Sequence, residues 1–450
     1  MKEKLKKVEK IVSELIKLDK DNIFSDFCWP WFLTETNASD FYKKLIYPEL
    51  KISYKKIKIL KKFLRSLFGY LYYRFSSFFS KESLFIGKLN GNTELLIVNW
   101  PRKDNFFEND IYYGTLFKEL NRKNKKFQIL FLPLVNNDVL NNFRENSGVI
   151  QKLRNRKMPS LFYVTQLLLK NLGLFKKHRL PFWEKVMFCN ATLSRSFLAC
   201  VVFSMFLDNF FENTKNLKKI LIPWENQPEQ KAICLAAHKR GIKVYGYIHS
   251  ALWPDNLSVA RLRNKLYNLA LPDKLFLHGT QYTRLLKSLN WKEEDLILIR
   301  SQRYPKPKPK EYFYGKLFLT SDLEEALFCI EKAKEAITSG LFLIKEVQLH
   351  PDLVNSKKIQ RAVKSIHLSG DSKDIVVCGT TTVSLEALSI KLNIFNIAKD
   401  PQIQILQLRF YEGVEIEKIR EHILRTRFVG NPANKFFITS ERVKMMIDFL

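Results

Sequence analysis

No two cysteines in this sequence stand close enough to form a CxxC pair, and that absence sets the first constraint. The six, Cys28, Cys189, Cys200, Cys234, Cys329 and Cys378, are scattered, several of them inside apolar runs. Such usage fits reduced, buried thiols in a cytosolic protein and excludes a disulfide framework or a zinc knuckle. HxE and HExxH patterns are missing, which removes the usual zinc sites. GxGxxG and Walker loops are missing, which argues against dinucleotide and ATP chemistry. There is no GxSxG elbow for a serine nucleophile. The longest apolar run, FLACVVFSMFL at 197–207, is too short to cross a bilayer. The opening MKEKLKKVEKIVSELIKLDK is charged throughout and does not read as a signal peptide.

Negative charge is the scarce charge: 45 Asp and Glu stand against 75 Lys and Arg, a net +30. A surface of that sign attracts phosphates, whether in nucleic acid, lipid headgroups or phosphorylated substrates. The chain is also rich in Lys, Asn, Ile and Phe together, which an AT-rich coding sequence would produce by itself. No nucleic-acid recognition module is visible, so nucleic acid is not an expected partner. The 450 residues allow about two to three domains, and a hydrophobic content of 46% allows a normal core.

Residues 1–88 read as a helical, basic N-terminal region. Leu5, Val8, Val12, Leu15 and Ile16 recur at helical spacing, and DFCWPWF at 26–32 reads as a packed aromatic turn. In YKKIKILKKFLRSLFGYLYYRFSSFFSK at 54–81, Ile57, Leu60, Leu64, Leu67, Phe68 and Leu71 share one helical face, opposite Lys55, Lys58, Lys62 and Arg65. This pattern suits an anionic membrane surface and equally an ordinary helix packed on the core. From residue 89 the pattern alternates. Strands are expected at 93–100, 126–135, 218–224 and 243–250, with helices at 108–122 and 228–241 and a mainly helical, basic insertion at 150–213. A second alternating series follows, with strands at 273–279, 296–300, 316–321, 341–350, 374–379 and 393–397. Alternation of this kind builds parallel sheets. The expected fold is α/β and GT-B-like: two Rossmann-like domains, 89–265 and 266–450, facing a cleft behind the N-terminal region.

Ligands of open parallel sheets sit beyond the carboxyl ends of the strands. Three such ends carry chemistry. DIVVCG runs into TTTVSLEALSIK, so Gly379, Thr380, Thr381, Thr382 and Ser384 crowd a helix start, where unpaired amides and hydroxyls would cradle a phosphate. Simple helix capping needs only one of those hydroxyls. His350-Pro351 ends the preceding strand and aims an imidazole over the same edge. In IPWENQPE, Glu225 follows a strand and precedes a helix, where a carboxylate would serve as general base or only as a cap. His249, closing GYIHS, is the second candidate for acceptor handling or for base.

His-Pro followed some thirty residues later by Gly-Thr-Thr-Thr-x-Ser resembles the donor half of bacterial GT-B glycosyltransferases that use CMP-activated acidic sugars, of sialyl, nonulosonate or Kdo type. The tract KKILIPWENQPEQKAICLAAHKRGIKVYGYIHSALWPDN is similar to a recurring segment of surface-carbohydrate biosynthesis proteins of the lipopolysaccharide and capsule kind. The resemblance implies that His350 and the Thr380–Ser384 turn hold the nucleotide phosphate, with Glu386 reaching the ribose. It implies an inverting, metal-independent enzyme with a CMP-sugar donor and a glycan or lipid-linked acceptor. The site would hold no cofactor and would work in the cytoplasm at the inner face of the plasma membrane. Neither the DxD motif of metal-dependent sugar transferases nor the short acidic D/E-D/E-G motif of the sialyltransferases is found in the N-terminal half; YEG at 411–413 lies elsewhere. The alternatives are a UDP-sugar transferase, a sugar 2-epimerase, a CDP-glycerol-type glycerophosphotransferase, or a non-catalytic scaffold of a glycan-assembly complex.

Overall fold

The computed structural model describes residues 56–79, 91–99, 106–131, 149–150 and most of 216–450, with isolated positions in 3–13 and 165–211. The expected aromatic turn at 26–32 lies outside the described residues, as does most of the 150–213 insertion. Of the first helical face, Leu5 is buried, and Glu9 accepts a hydrogen bond from the Arg263 amide at 3.0 Å.

Seven short apolar strands form one parallel sheet: β1 (Leu95–Asn99), β2 (Phe127–Phe131), β3 (Val149–Ile150), β4 (Lys219–Pro223), β5 (Lys243–Ile248), β6 (Lys274–Leu277) and β7 (Leu296–Leu298). Their order is β3-β2-β1-β4-β5-β6-β7, so the winding direction reverses between β1 and β4. The strands are Ile-, Leu- and Val-rich because both faces are covered. Helix α1 (Lys56–Phe79) precedes this lobe in the chain, and helices α2 (Phe106–Asn109), α3 (Leu116–Arg122), α4 (Pro228–His238), α5 (Lys265–Asn268) and α6 (Thr280–Ser288) lie within it. The single helix expected over 108–122 is instead α2, a tight turn at 110–115, and α3. The turn forms because Asp110 and Gly114 bridge each other's backbone and Gly114 sits at φ +55°, outside the helical region.

The second lobe has six strands: β8 (Lys316–Phe318), β9 (Glu346–Gln348), β10 (Ile375–Cys378), β11 (Ile394–Ile397), β12 (Val414–Arg420) and β13 (Ile423–Phe428). Their order is β12-β13-β11-β10-β8-β9, parallel from β9 to β11 and antiparallel in the β12–β13 hairpin. Helices α7 (Leu323–Thr338), α8 (Lys357–Lys364) and α9 (Val383–Ser389) connect them. Here the winding reverses between β8 and β10.

The domain boundary expected at 265/266 is corrected. It would sever β5 from β6, which pair in register from Tyr245–Lys274 to Ile248–Leu277. The stretch 252–272 is one more crossover of the first sheet, and the lobes part between β7 and β8. Nor does the chain from 266 onward stay in one lobe. Met446, Ile447 and Leu450 return to the first lobe's core, beside Leu221 and Phe276. Gly279 permits this return: a Cβ there would lie 2.6 Å from the Lys435 carbonyl oxygen and press on that of Phe436.

Candidate active site at the carboxyl edge of the first sheet

Glu225 and His249 meet. The ladder continues past β4, with the Trp224 amide donating to the Tyr247 carbonyl at 2.7 Å, so the residues leaving β4 and β5 emerge side by side. Glu225 Oε1 then lies 2.7 Å from His249 Nε2, an ion-pair distance rather than an aligned hydrogen bond. The imidazole is fully buried, while the carboxylate remains 36% exposed. One partner is thus shielded from water and the other faces it.

The turn that carries Glu225 is fixed by Gln230, a fully buried side chain in the first turn of α4. Its Oε1 accepts from the Glu225 amide at 3.0 Å and the Gln227 amide at 2.8 Å, and its Nε2 donates to the Pro223 carbonyl. Three backbone groups that a strand-to-helix bend leaves without ladder partners are satisfied by one amide side chain. Glu225 is therefore presented by the bend and does not serve as its cap.

A second carboxylate stands close by. Asp110 is buried and accepts from Asn99 Nδ2 at 2.7 Å and from the amides of Tyr112 and Tyr113 at 2.7 and 2.9 Å. Burial raises its pKa, against the opposing pull of Asn99, the two amides and His249. Asn99 is the last residue of β1, so this carboxylate is moored to the strand next to β4 at the point where the winding reverses. Tyr112 sets its ring edge-on to His249 at 4.6 Å between centroids. Tyr113 donates to the Val98 carbonyl at 2.9 Å, and a Cβ on Gly114 would lie 2.5 Å from the Gln302 carbonyl oxygen. The Asp110 turn thereby packs closely against Gln302, after β7.

This edge faces the second lobe. Tyr411 donates its hydroxyl to the Leu252 carbonyl, and the Phe437 ring lies 5.1 Å from that of the buried His278, which ends β6.

The second lobe's expected site residues are arranged differently. His350 follows β9 and accepts a hydrogen bond on Nδ1 from the Asp352 amide at 3.3 Å, capping the turn at Pro351–Leu353. Thr381 Oγ1 accepts from the Val383 amide at 3.3 Å, and Ser384 is buried with its hydroxyl donating to the Thr381 carbonyl at 2.8 Å. Thr382 occupies the position before α9 without a side-chain cap. Gly379 and Thr380 lie outside the described residues. Glu386 is buried and lies 3.2 Å from Lys308 Nζ. β9 and β10 flank β8, so their carboxyl ends are two strand spacings apart, roughly 10 Å. Thr320, just past β8, lies between them.

The sequence expectations omitted Asp110, Asn99 and Gln230. For Asp110 the signal was NDIYYG, an acid ahead of a turn glycine that breaks the expected helix. Asn99 and Gln230 offered none: a polar residue ending a strand, or in a helix's first turn, is ordinary until its partners are known.

No protein-family model and no curated protein matches the chain. Solved structures match at low identity. S. aureus MnaA in complex with UDP is 11% identical over 67% of this chain and 78% of its own, with TM-score 0.38. UDP-GlcNAc 2-epimerase from Neisseria meningitidis bound to UDP-GlcNAc is 13% identical over 69% and 85%, with TM-score 0.37. UDP-GlcNAc 2-epimerase from Methanocaldococcus jannaschii is 11% identical over 77% and 96%, with TM-score 0.35. Matches this loose assign neither substrate nor reaction. They correct the expectation of a CMP-activated acidic sugar all the same: the enzymes found are UDP-linked, and the acidic motif of the CMP-sugar families is missing here.

Proposed function

We propose that the protein is an enzyme acting on a nucleotide-linked sugar, in which Glu225 and His249 move a proton at the sugar and the second lobe takes the nucleotide. One observation carries this reading: a carboxylate and a fully buried imidazole 2.7 Å apart at the carboxyl edge of a parallel sheet, beside the strand pair where its winding reverses. Such a pair can pass a proton between a shielded imidazole and a carboxylate that faces water. The nucleotide is placed at the second lobe's own reversal point, between Thr320 and Thr381, with His350 one strand further out.

The reaction that best fits two coupled proton carriers is inversion at a sugar carbon. The C–H bond beside the anomeric carbon breaks as the C1–O bond to UDP breaks, its electron pair forming a C1–C2 double bond while UDP leaves as the anion; inversion follows when a proton returns to the other face as the C1–O bond is remade. Transfer to an acceptor hydroxyl needs only a single base. We therefore infer a UDP-sugar 2-epimerase activity. The test incubates the protein with UDP-GlcNAc in deuterated water and follows the sugar by NMR. Deuterium at the inverted carbon, lost in Glu225→Gln, is the expected result. Failure of every uridine nucleotide to shift the melting temperature would sink the substrate class.

A further inference from the structure

Helix α1 turns its apolar stripe outward. Leu60 and Leu64 are 43% and 40% exposed, Phe68 and Tyr72 64% and 69%, and Leu71 37%. At about 100° per residue these five fall within a sector of about 120°. The helix seats itself through another side: Tyr70 is 3% exposed, with Phe63 and Leu67 half-buried on the same flank. The apolar face read from the sequence is thus mostly not the packed face. A globular surface helix normally hides such a stripe, and an exposed row of large apolar side chains marks an interaction surface.

Charge decides what covers it. The 24 residues of α1 contain Lys56, Lys58, Lys61, Lys62, Arg65 and Arg74 and no acid. Lys61 and Arg65 are exposed, Lys61 between Phe68 and Tyr72 around the helix and Arg65 just beyond Tyr72. A second copy of this helix would bring like charges together within a chain that already carries +30. Nucleic acid would satisfy the cations and leave five apolar side chains in water. A bilayer bearing anionic headgroups answers both, with acyl chains for the stripe and phosphates for its basic border. Among the described residues no helix is long and apolar enough to span a membrane, so the geometry is that of a helix lying in the interface.

We propose that α1 docks the protein on an anionic membrane surface, with Leu60, Leu64, Phe68 and Leu71 entering the boundary between headgroups and acyl chains and Lys61 and Arg65 pairing with lipid phosphates. This stands independently of the reaction assigned above.

The test is co-sedimentation of the full chain with vesicles of phosphatidylcholine alone or with one third phosphatidylglycerol. Binding is expected only to the anionic vesicles, weakening as salt rises. Lys61→Ala with Arg65→Ala should lower that affinity about thirtyfold, roughly fivefold per basic side chain. Leu64→Asp with Phe68→Asp should abolish it with the melting temperature unchanged, because both side chains face water. The proposal fails if wild type binds neither vesicle, or if it binds both equally with no effect of the basic substitutions. It also fails if the stripe proves to be a self-interface, seen in gel filtration as a concentration-dependent dimer that Leu64→Asp with Phe68→Asp dissolves while vesicles go unbound.

Discussion

The two lobes present the same kind of edge and use it in opposite ways. In the first, polar side chains that follow the strands reach one another: Glu225 to His249 across β4 and β5, Asn99 to Asp110 beside β1. In the second, three of the expected site residues turn back on nearby backbone: His350 takes the Asp352 amide, Thr381 the Val383 amide, and Ser384 donates to the Thr381 carbonyl, while Glu386 pairs with Lys308. Groups that hold each other across strands have their geometry fixed from two sides. Groups satisfied by the adjacent backbone shape a turn and leave charge handling elsewhere. On the function proposed above, proton transfer would fall to the first lobe, and the second would contribute surface shape and amides.

The widest separation is expected in turnover. Glu225→Gln should lower kcat by about 10²–10⁴-fold, whereas His350→Ala should change it by less than about tenfold; steady-state kinetics on both variants would invert the comparison if the losses were reversed. Gly279→Ala comes next. Its new Cβ would press on the Lys435 and Phe436 carbonyls that tie the C-terminal segment back to the first lobe. A loss of about 1–3 kcal/mol in urea unfolding is expected.

Gln230→Leu should cost a similar amount, about 1–3 kcal/mol, since it strands the Glu225 and Gln227 amides and the Pro223 carbonyl. It should also lower kcat by about tenfold by releasing the Glu225 bend, an effect that a purely stabilising residue would not show at temperatures where the variant stays folded.

Two charged groups of the first lobe make its stability depend on pH. Lys231 is buried, donates to the Tyr267 hydroxyl at 3.0 Å, and burial lowers its pKa to about 7 from 10.5. The unfolded chain holds that proton more tightly, so this group's contribution rises with pH between about 7 and 10.5 and its penalty is full below 7. Lys231→Met should therefore be more stable than wild type below pH 7, by about 1–4 kcal/mol. That advantage should shrink as pH rises, as melting curves at several pH values would show.

The smallest effect is at His238 and Asp273, 3.0 Å apart. Burial opposes the His238 charge, but Asp273 and the Leu269 carbonyl outweigh it and raise the pKa above 6.5. The His238 charge contributes fully below pH 6.5 for as long as Asp273 stays ionised, and its contribution is lost as pH climbs through the raised value. His238→Gln should flatten that decline by less than about 1 kcal/mol.

Much of this was legible in the residues. Apolar runs located ten of the thirteen strands among the described residues, because buried parallel strands are continuous in Ile, Leu and Val. Glu225 and His249 were legible as polar residues ending successive strands and were expected near one another, while the contact itself depended on the register of β4 and β5. The 265/266 boundary misplaced the lobes because a crossover within a sheet and a crossover between sheets share one pattern. The β12–β13 hairpin went unread: VEIEKIR and ILRTRF alternate apolar with charged residues, and they pair only because β11 offers an edge. The outward stripe of α1 was legible as a face, while its direction depended on which flank Tyr70 anchors.

The most direct measurement is the rate at which a UDP-linked sugar exchanges a carbon-bound hydrogen with deuterated solvent, taken for wild type and Glu225→Gln with nucleotide affinity recorded alongside. The account predicts exchange in wild type, at least about 10²-fold slower in the variant, with affinity for UDP unchanged. Equal exchange in both proteins, or none in either despite tight nucleotide binding, would contradict it.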